Sequence, residues 1–527
     1  MTEHAAARAG ARSWVASPAV RRVAWALLLG LPLLWMLGSV PLFDVDEGAF
    51  SEATREMLTS GDWLHTTLNG APRFDKPIGV YWLQAISASV FGLNEFALRL
   101  PSALSCWAMA LALGAFARRR WGDLAGMLAG ALVVTSLGPL AIGRGATADS
   151  LLNLLLALAG FDLWRFAESE SRTALRRAYA WVALGLLVKG PVAVLVPGAA
   201  FFLWIAFSKR WTLLRKAALD APGWALLLAI AVPWYAYALH RHGMAFINGF
   251  LLQHNVDRFT GTLGGHRGNF LYYVAVLPLL AMPWAPLLVL AVVRARRFWA
   301  EPVGRYLLLW AAFVLVFFSM SGTKLPHYML YGYPPLVLLM ARLLAGASRR
   351  LVLVVAAGVV AWAGIVAALP SLIVSQADKV RDPLYHALIA GAPPAPMLPA
   401  VLALVVVAAI AFWRTRAELA PLRVVAAGGV LSLFAVGWLL PWFVATLQAP
   451  IRHAAAVAAA HGGHVVQWDV HYPSFSVYLR DLVPRRAPQP DEMVLSRSDR
   501  LPPGNAGGRP RLFEERGIVL LGPLPTR

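Results

Sequence analysis

The sequence predicts an all-α polytopic membrane protein with a small α/β domain at its C-terminal end, and three observations predict it. Hydrophobic residues make up 59% of the chain and charged residues only 14%, whereas a globular domain carries about a quarter charged residues. The mean hydropathy is +0.62, and the apolar residues gather into runs close to the ~20 residues that a helix needs to cross a bilayer. From about Gln448 that pattern ends, and a polar stretch rich in Pro and Gly follows to Arg527.

The spanning runs fall near 23–40, 98–117, 124–142, 150–166, 178–188, 191–207, 222–239, 271–293, 306–320, 327–345, 351–370, 398–413 and 424–446. Dividing the fifth and sixth at Lys189-Gly190-Pro191 gives thirteen helices. One tilted helix with a Pro kink is the alternative there. The first run follows Arg8, Arg12, Arg21 and Arg22. No A-x-A-like cleavage site closes it, so it reads as an uncleaved span. The expected domains are 1–447, a transmembrane part with a long first loop over 41–98, and 448–527, a small periplasmic appendage with apolar pieces at 464–468 and 517–521.

The net charge of +20 does not indicate nucleic acid, because Lys and Arg stand in short clusters between apolar runs. Arg118-Arg119-Arg120, Arg172 with Arg176-Arg177, Lys209-Arg210, Arg296-Arg297, Arg349-Arg350 and Arg414 with Arg416 all fall in alternate loops. The positive-inside rule then predicts a cytoplasmic N-terminus in a bacterial inner membrane, and the same clusters attract anionic lipid. The sole cysteine, Cys106, lies in an apolar run, so no intramolecular disulfide is available.

The remaining loops, expected in the periplasm, hold charged residues at helix ends, which are costly there and so are candidates for function. Glu47–Leu58 has apolar residues at helical spacing and reads as an amphipathic helix along the interface. Asp46 and Glu47 open it and would accept a proton or bind a sugar hydroxyl; an N-terminal acid pair favoured by the helix dipole is the plainer reading. Lys76, after Asp75 and before Pro77, suits a lipid phosphate or simply snorkels in an aromatic belt. Arg144 and Asp149 flank the start of the fourth span, where Asp149 also reads as a cap. Lys189 stands at a helix break, as a cation for the site or a connector. His254 and Arg258 lie in the second long loop, where a basic residue would clamp phosphate. Lys324 and Tyr328 are four apart, so a helical turn would face both to one phosphate. Asp75 and His266 are the residues a divalent metal would use, although no spacing requires one and no cofactor is implied.

VDEGAFSEATREMLTSGDWLHTTLNGAPRFDKPIGVYW, FGLNEFALRLPSAL, RGATADSLLNL, LVKGPVAVLVPG, HNVDRF, Pro283-Trp284 and SGTKLPHYMLYGYPP occur in that order over about 40–345. Together they resemble the 4-amino-4-deoxy-L-arabinose lipid A transferases and the wider protein O-mannosyltransferase-like group of membrane glycosyltransferases with the GT-C fold. The resemblance implies a polyprenyl-phosphate sugar donor, of the undecaprenyl type, and a lipid A-like, glycan or protein acceptor. It also implies acidic site residues at Asp46 and Asp149, a donor-phosphate lysine at Lys76, and phosphate contacts at Arg258, Lys324 and Tyr328. The chain departs from the family at Asp75-Lys76-Pro77-Ile78 and at Gly268-Asn269-Phe270, which leaves the acceptor and any metal at Asp75 open. A lipid flippase or secondary transporter is the rival class. Transporters place polar residues at the midplane of paired halves, and no such halves are visible in this chain.

Overall fold

Asn94 opens the longest helix, Glu95–Thr135, by accepting a hydrogen bond from the Ala97 amide at 2.9 Å. It is not one rod, because Gly122 sits at φ 88° in its middle. A Cβ on Gly114 would meet the Gly126 carbonyl oxygen at 3.0 Å, and one on Gly130 would meet that of Ala110 at 3.2 Å. The two arms therefore fold back on each other as a hairpin, and the expected runs 98–117 and 124–142 are separate helices. Glycines allow this contact in lipid, where helices associate through close packing rather than a hydrophobic drive.

The computed structural model describes residues 18–257, 259, 261, 268–501 and 508–525. Within these, every predicted apolar run is helical, with short breaks, from Pro18–Leu34 through Ala420–Phe434 and Leu440–His461. Seven helices are long and apolar enough to cross a membrane, and Val192–Ser208 and Met397–Phe412 are shorter apolar helices. This is a multi-pass membrane architecture. The break at Lys189-Gly190-Pro191 is a reversal, not a kink: Gly190 has φ 78°, and a Cβ on Gly185 would lie 2.6 Å from that of Ala193. In a single helix those positions would be about 12 Å apart along the axis.

One continuous core runs from Leu29 to Val436. A second joins Ile451, Ala454, Ala455 and Ala458 to Val465, Phe475, Leu495 and Ile518, with Leu384 and Leu388 from an earlier loop. Helix Leu440–His461 thus runs through the expected boundary at 447/448 and carries its last turns into the C-terminal domain. That domain holds a four-stranded sheet: Val465–Gln467 is parallel to Met493–Arg497, which is antiparallel to Ile518–Leu521, which is antiparallel to Arg511–Glu515. Helix Pro473–Leu479 connects the first two strands and packs on the first-loop helix.

The first-loop helix spans Asp46–Ser60, and here the structure corrects the sequence reading. Instead of lying amphipathic at an interface, it is buried from Glu47 to Met57 on every face. Its polar side chains are satisfied internally, as burial requires. Glu52 holds Arg55 at 2.7–2.8 Å, Thr54 meets Gln84 at 2.9 Å, and Glu56 accepts the Asn69 amide at 2.6 Å. The covering helix Pro473–Leu479 supplies the outer wall that a sequence period cannot show.

Candidate active site

The first loop, the 144–149 turn, the 189–191 turn, the helical segment Ile247–Asp257 and the 321–327 turn meet at one end of the helix bundle. Three carboxylates organise the meeting. Glu47, only 6% exposed, accepts from Arg99 at 2.7 and 2.8 Å, from the Ala146 amide at 2.7 Å and from the Phe43 amide at 2.7 Å. Desolvation raises its pKa, but Arg99 and these donors outweigh it and hold the carboxyl below its usual range. Glu47 therefore ties the first loop to the start of the helix Asp149–Ser169.

Asp75 accepts from His254 Nε2 at 2.5 Å and pairs with Arg73 at 3.0 Å. Desolvation pushes its carboxyl up, and His254 and Arg73 more than reverse that, so it stays ionised well below the usual range. Arg73 also donates to the Tyr81 hydroxyl at 3.2 Å. Lys76 follows directly, its ammonium 2.8 Å from the Asp75 carbonyl.

Asp149 is buried at the first turn of its helix. It accepts from Lys189 Nζ at 2.5 Å and from the Tyr331 hydroxyl at 3.0 Å, with His327 Nε2 at 3.7 Å. Lys189 also lies over the Tyr328 and Tyr331 rings, 5.8 and 5.5 Å from their centroids. His327 also meets the Tyr328 ring edge-on, with centroids 4.9 Å apart. Asp46 is exposed at the first position of the first-loop helix.

A cavity of about 630 Å³ opens from this polar end. Asp75, Lys76, Lys189, His254, Tyr328 and Tyr331 line one part of it, and Val192, Leu195, Leu251, Phe317 and Phe318 the rest. A charged head joined to a long apolar wall fits an amphiphile whose anionic group meets the lysines.

Other candidates face elsewhere. Arg144 donates to the carbonyls of Pro32, Leu33, Trp35 and Met36 at 2.8–3.1 Å, completing the end of helix Pro18–Leu34. Lys324 spends its three donors on the carbonyls of Phe318, Ser319 and Ser321 at 3.2, 2.5 and 2.6 Å, at the end of helix Pro302–Met320. The expected helical turn joining it to Tyr328 is absent: a 3₁₀ helix begins only at Pro326 and runs to Gly332. Arg258 and His266 lie outside the described residues. Among the described residues no group of three or more His, Cys, Asp or Glu is placed to hold a metal.

A family model described as dolichyl-phosphate-mannose-protein mannosyltransferase matches residues 75–237. The undecaprenyl phosphate-alpha-4-amino-4-deoxy-L-arabinose arabinosyl transferase of Enterobacter sp. (strain 638) is 32% identical over 329 residues, 60% of this chain and 58% of that protein. The protein of the same name from Erwinia tasmaniensis is 33% identical over 357 residues, 65% of this chain and 63% of that one. The chain thus spans about three fifths of the length of the curated relatives it matches. The crystal structure of ArnT from Cupriavidus metallidurans bound to undecaprenyl phosphate aligns with a TM-score of 0.81 at 20% identity, covering 97% of this chain and all of that one. This chain has the ArnT fold.

The resemblance carried by the sequence motifs agrees with all three comparisons. Within the ArnT fold, two residues of the polar cluster escape a reading by motif alone, His327 and Tyr331. Both sit in SGTKLPHYMLYGYPP. Tyr331 alone has a signal, a spacing of three from Tyr328: in a 3₁₀ helix residues three apart eclipse, so Tyr328 and Tyr331 share a face, with ring centroids 6.0 Å apart.

Proposed function

We propose that this protein is a glycosyltransferase that moves a sugar, of the aminoarabinose type, from an undecaprenyl-phosphate carrier to a lipid A-like, glycan or protein acceptor. The reaction takes place at the periplasmic face of the inner membrane, with the N-terminus in the cytoplasm and the C-terminal domain in the periplasm. The observation that carries this reading is the cavity whose polar end holds Lys76 and Lys189 and whose long wall is apolar. That shape and charge suit a prenyl chain ending in a phosphate, and the similarity to named arabinosyl transferases supports the chemistry.

The mechanism is single displacement. An acceptor oxygen attacks the anomeric carbon as the bond from that carbon to the phosphate oxygen breaks, and the carrier phosphate leaves with the electron pair. Lys76 and Lys189 stabilise the charge gathering on that phosphate, aided by Arg258 from the second loop. Asp149 holds Lys189, and Tyr328 walls the head of the carrier. Asp46, exposed beside the cluster, orients the acceptor or takes its proton; a phosphate acceptor needs little base, a hydroxyl needs one.

The test is transfer of radiolabel from undecaprenyl-phosphate sugars to cell-envelope acceptors by purified protein, beside Lys76→Ala and Asp46→Asn. Label should move with the parent protein and fail to move with either variant, while Asp46→Asn still binds donor. Full activity in Asp46→Asn removes the base role, and movement of intact labelled carrier across liposomes without transfer replaces the enzyme with a flippase.

A further inference from the structure

The arginines at the other end of the molecule form part of a second cavity. Arg21, Arg22 and Arg118 stand on the wall of a hollow of about 530 Å³ together with Asp123, the one acid among the described residues of its lining. Its remaining lining is mostly apolar, including Trp25, Leu29 and Leu422. It lies between helix Pro18–Leu34, both arms of the Glu95–Thr135 hairpin and the start of Ala420–Phe434. Arg21 and Arg22 are near the start of helix Pro18–Leu34, and Arg144 of the active-site end reaches its last turn. That helix has 17 residues, about 25 Å in length, so the arginines and the turn capped by Arg144 stand at its opposite ends.

We propose that this hollow is a binding site for an anionic diacyl phospholipid, separate from the site of transfer. Three arginines against one aspartate leave an excess of positive charge at the mouth, and guanidinium forks match the oxygens of a phosphodiester. A headgroup with net negative charge is selected over a zwitterionic one, whose amine would meet the same arginines. The apolar part is too large and too greasy for ordered water, each molecule of which takes about 30 Å³ and wants polar partners. It admits an acyl chain along the apolar side chains of Trp25, Leu29, Leu111 and Leu422. The expected sidedness adds a third reason, because the arginine clusters face the leaflet that is richer in anionic lipid.

The experiment is native mass spectrometry of the full chain in detergent with palmitoyl-oleoyl phosphatidylglycerol or the matching phosphatidylcholine added in equal amounts. The phosphatidylglycerol adduct should dominate. Each arginine near the headgroup contributes about fivefold, so Arg21→Ala with Arg118→Ala should lower that preference by about twenty-fivefold. Arg349→Ala with Arg350→Ala removes two arginines from no wall of this cavity and should leave the preference intact. Ala115→Phe fills the hollow with the arginines in place and should also lose the adduct. Equal binding of the two lipids overturns the proposal. So does a preference that survives Arg21→Ala with Arg118→Ala, or one that falls equally in the Arg349 and Arg350 control.

Discussion

Lys189 and Asp149 show what a single buried pair does in this molecule. Their side chains are 10% and 11% exposed, and the carboxylate is further held by Tyr331. Removing one partner of a buried pair leaves an uncompensated charge, which costs about 3–5 kcal/mol. Lys189→Met is therefore expected to melt well below the parent protein in detergent and to be inactive. Adding Asp149→Asn removes the stranded charge, so the double variant should recover most of the melting temperature while remaining inactive, because the cation proposed to face the donor phosphate is still gone. A Lys189→Met protein that melts like the parent would show that the pair is not buried in the working molecule. Lys76, Asp149 and Lys189 were legible in the sequence because charges at helix ends stand out in an apolar chain. His327 was not, since one histidine between Pro326 and Tyr328 carries no periodic signal and acquires its neighbours only when the 3₁₀ turn meets the helix starting at Asp149. Lys324 reads like Lys76 in sequence, yet the end of the preceding helix leaves carbonyls that take all its donors.

At the scale of elements, the first-loop helix and the helix Pro473–Leu479 act as one piece. Asp44 accepts from the Ser474 amide at 3.0 Å and from its hydroxyl, Tyr478 donates to Glu95 at 3.3 Å, and the Leu42 amide donates to the Tyr478 hydroxyl at 2.6 Å. These contacts bracket Asp46. Desolvation on docking pushes the Asp44 carboxyl up to about 7, the Ser474 bonds offset part of that, and neighbouring Glu47 adds to it. The sign follows: the docked state holds the proton more tightly than the free chain, so docking is strongest below the ordinary value of 3.8 and weakens as pH rises through about 7. Amides of Pro473–Leu479 should exchange more slowly at pH 6 than at pH 8 after correction for intrinsic rates, and Asp44→Asn should flatten the difference. Equal protection at both pH values in the parent protein would mean that Asp44 docks without a proton change. The helices themselves were legible from their apolar runs, and the hairpin at Gly122 from the two runs either side of Arg118-Arg119-Arg120. The burial of Asp46–Ser60 was not, because its outer wall comes from residues more than 400 positions away.

The whole molecule is polarised along its bundle axis. Loops carrying Asp46, Asp75, Asp149, Lys189 and His327 meet at one end together with the C-terminal domain, while Arg118 and its neighbours cap the other. The positive-inside rule predicts that the arginine-rich end stays inside and that the cavity with its lysines faces outward, the side on which the proposed transfer takes place. Impermeant maleimide can test this cleanly, because the one native thiol, Cys106, is buried. In a Cys106→Ala background, Leu482→Cys on the exposed C-terminal domain and Arg119→Cys at the tip of the hairpin probe the two ends. In cells with only the outer membrane opened, Leu482→Cys should label at once, and Arg119→Cys only after the inner membrane is broken. The reverse pattern would put the cavity in the cytoplasm. It would then face the leaflet where carrier lipids are charged with sugar rather than the one where they are discharged, and periplasmic transfer would have to be abandoned even if the purified protein moved label.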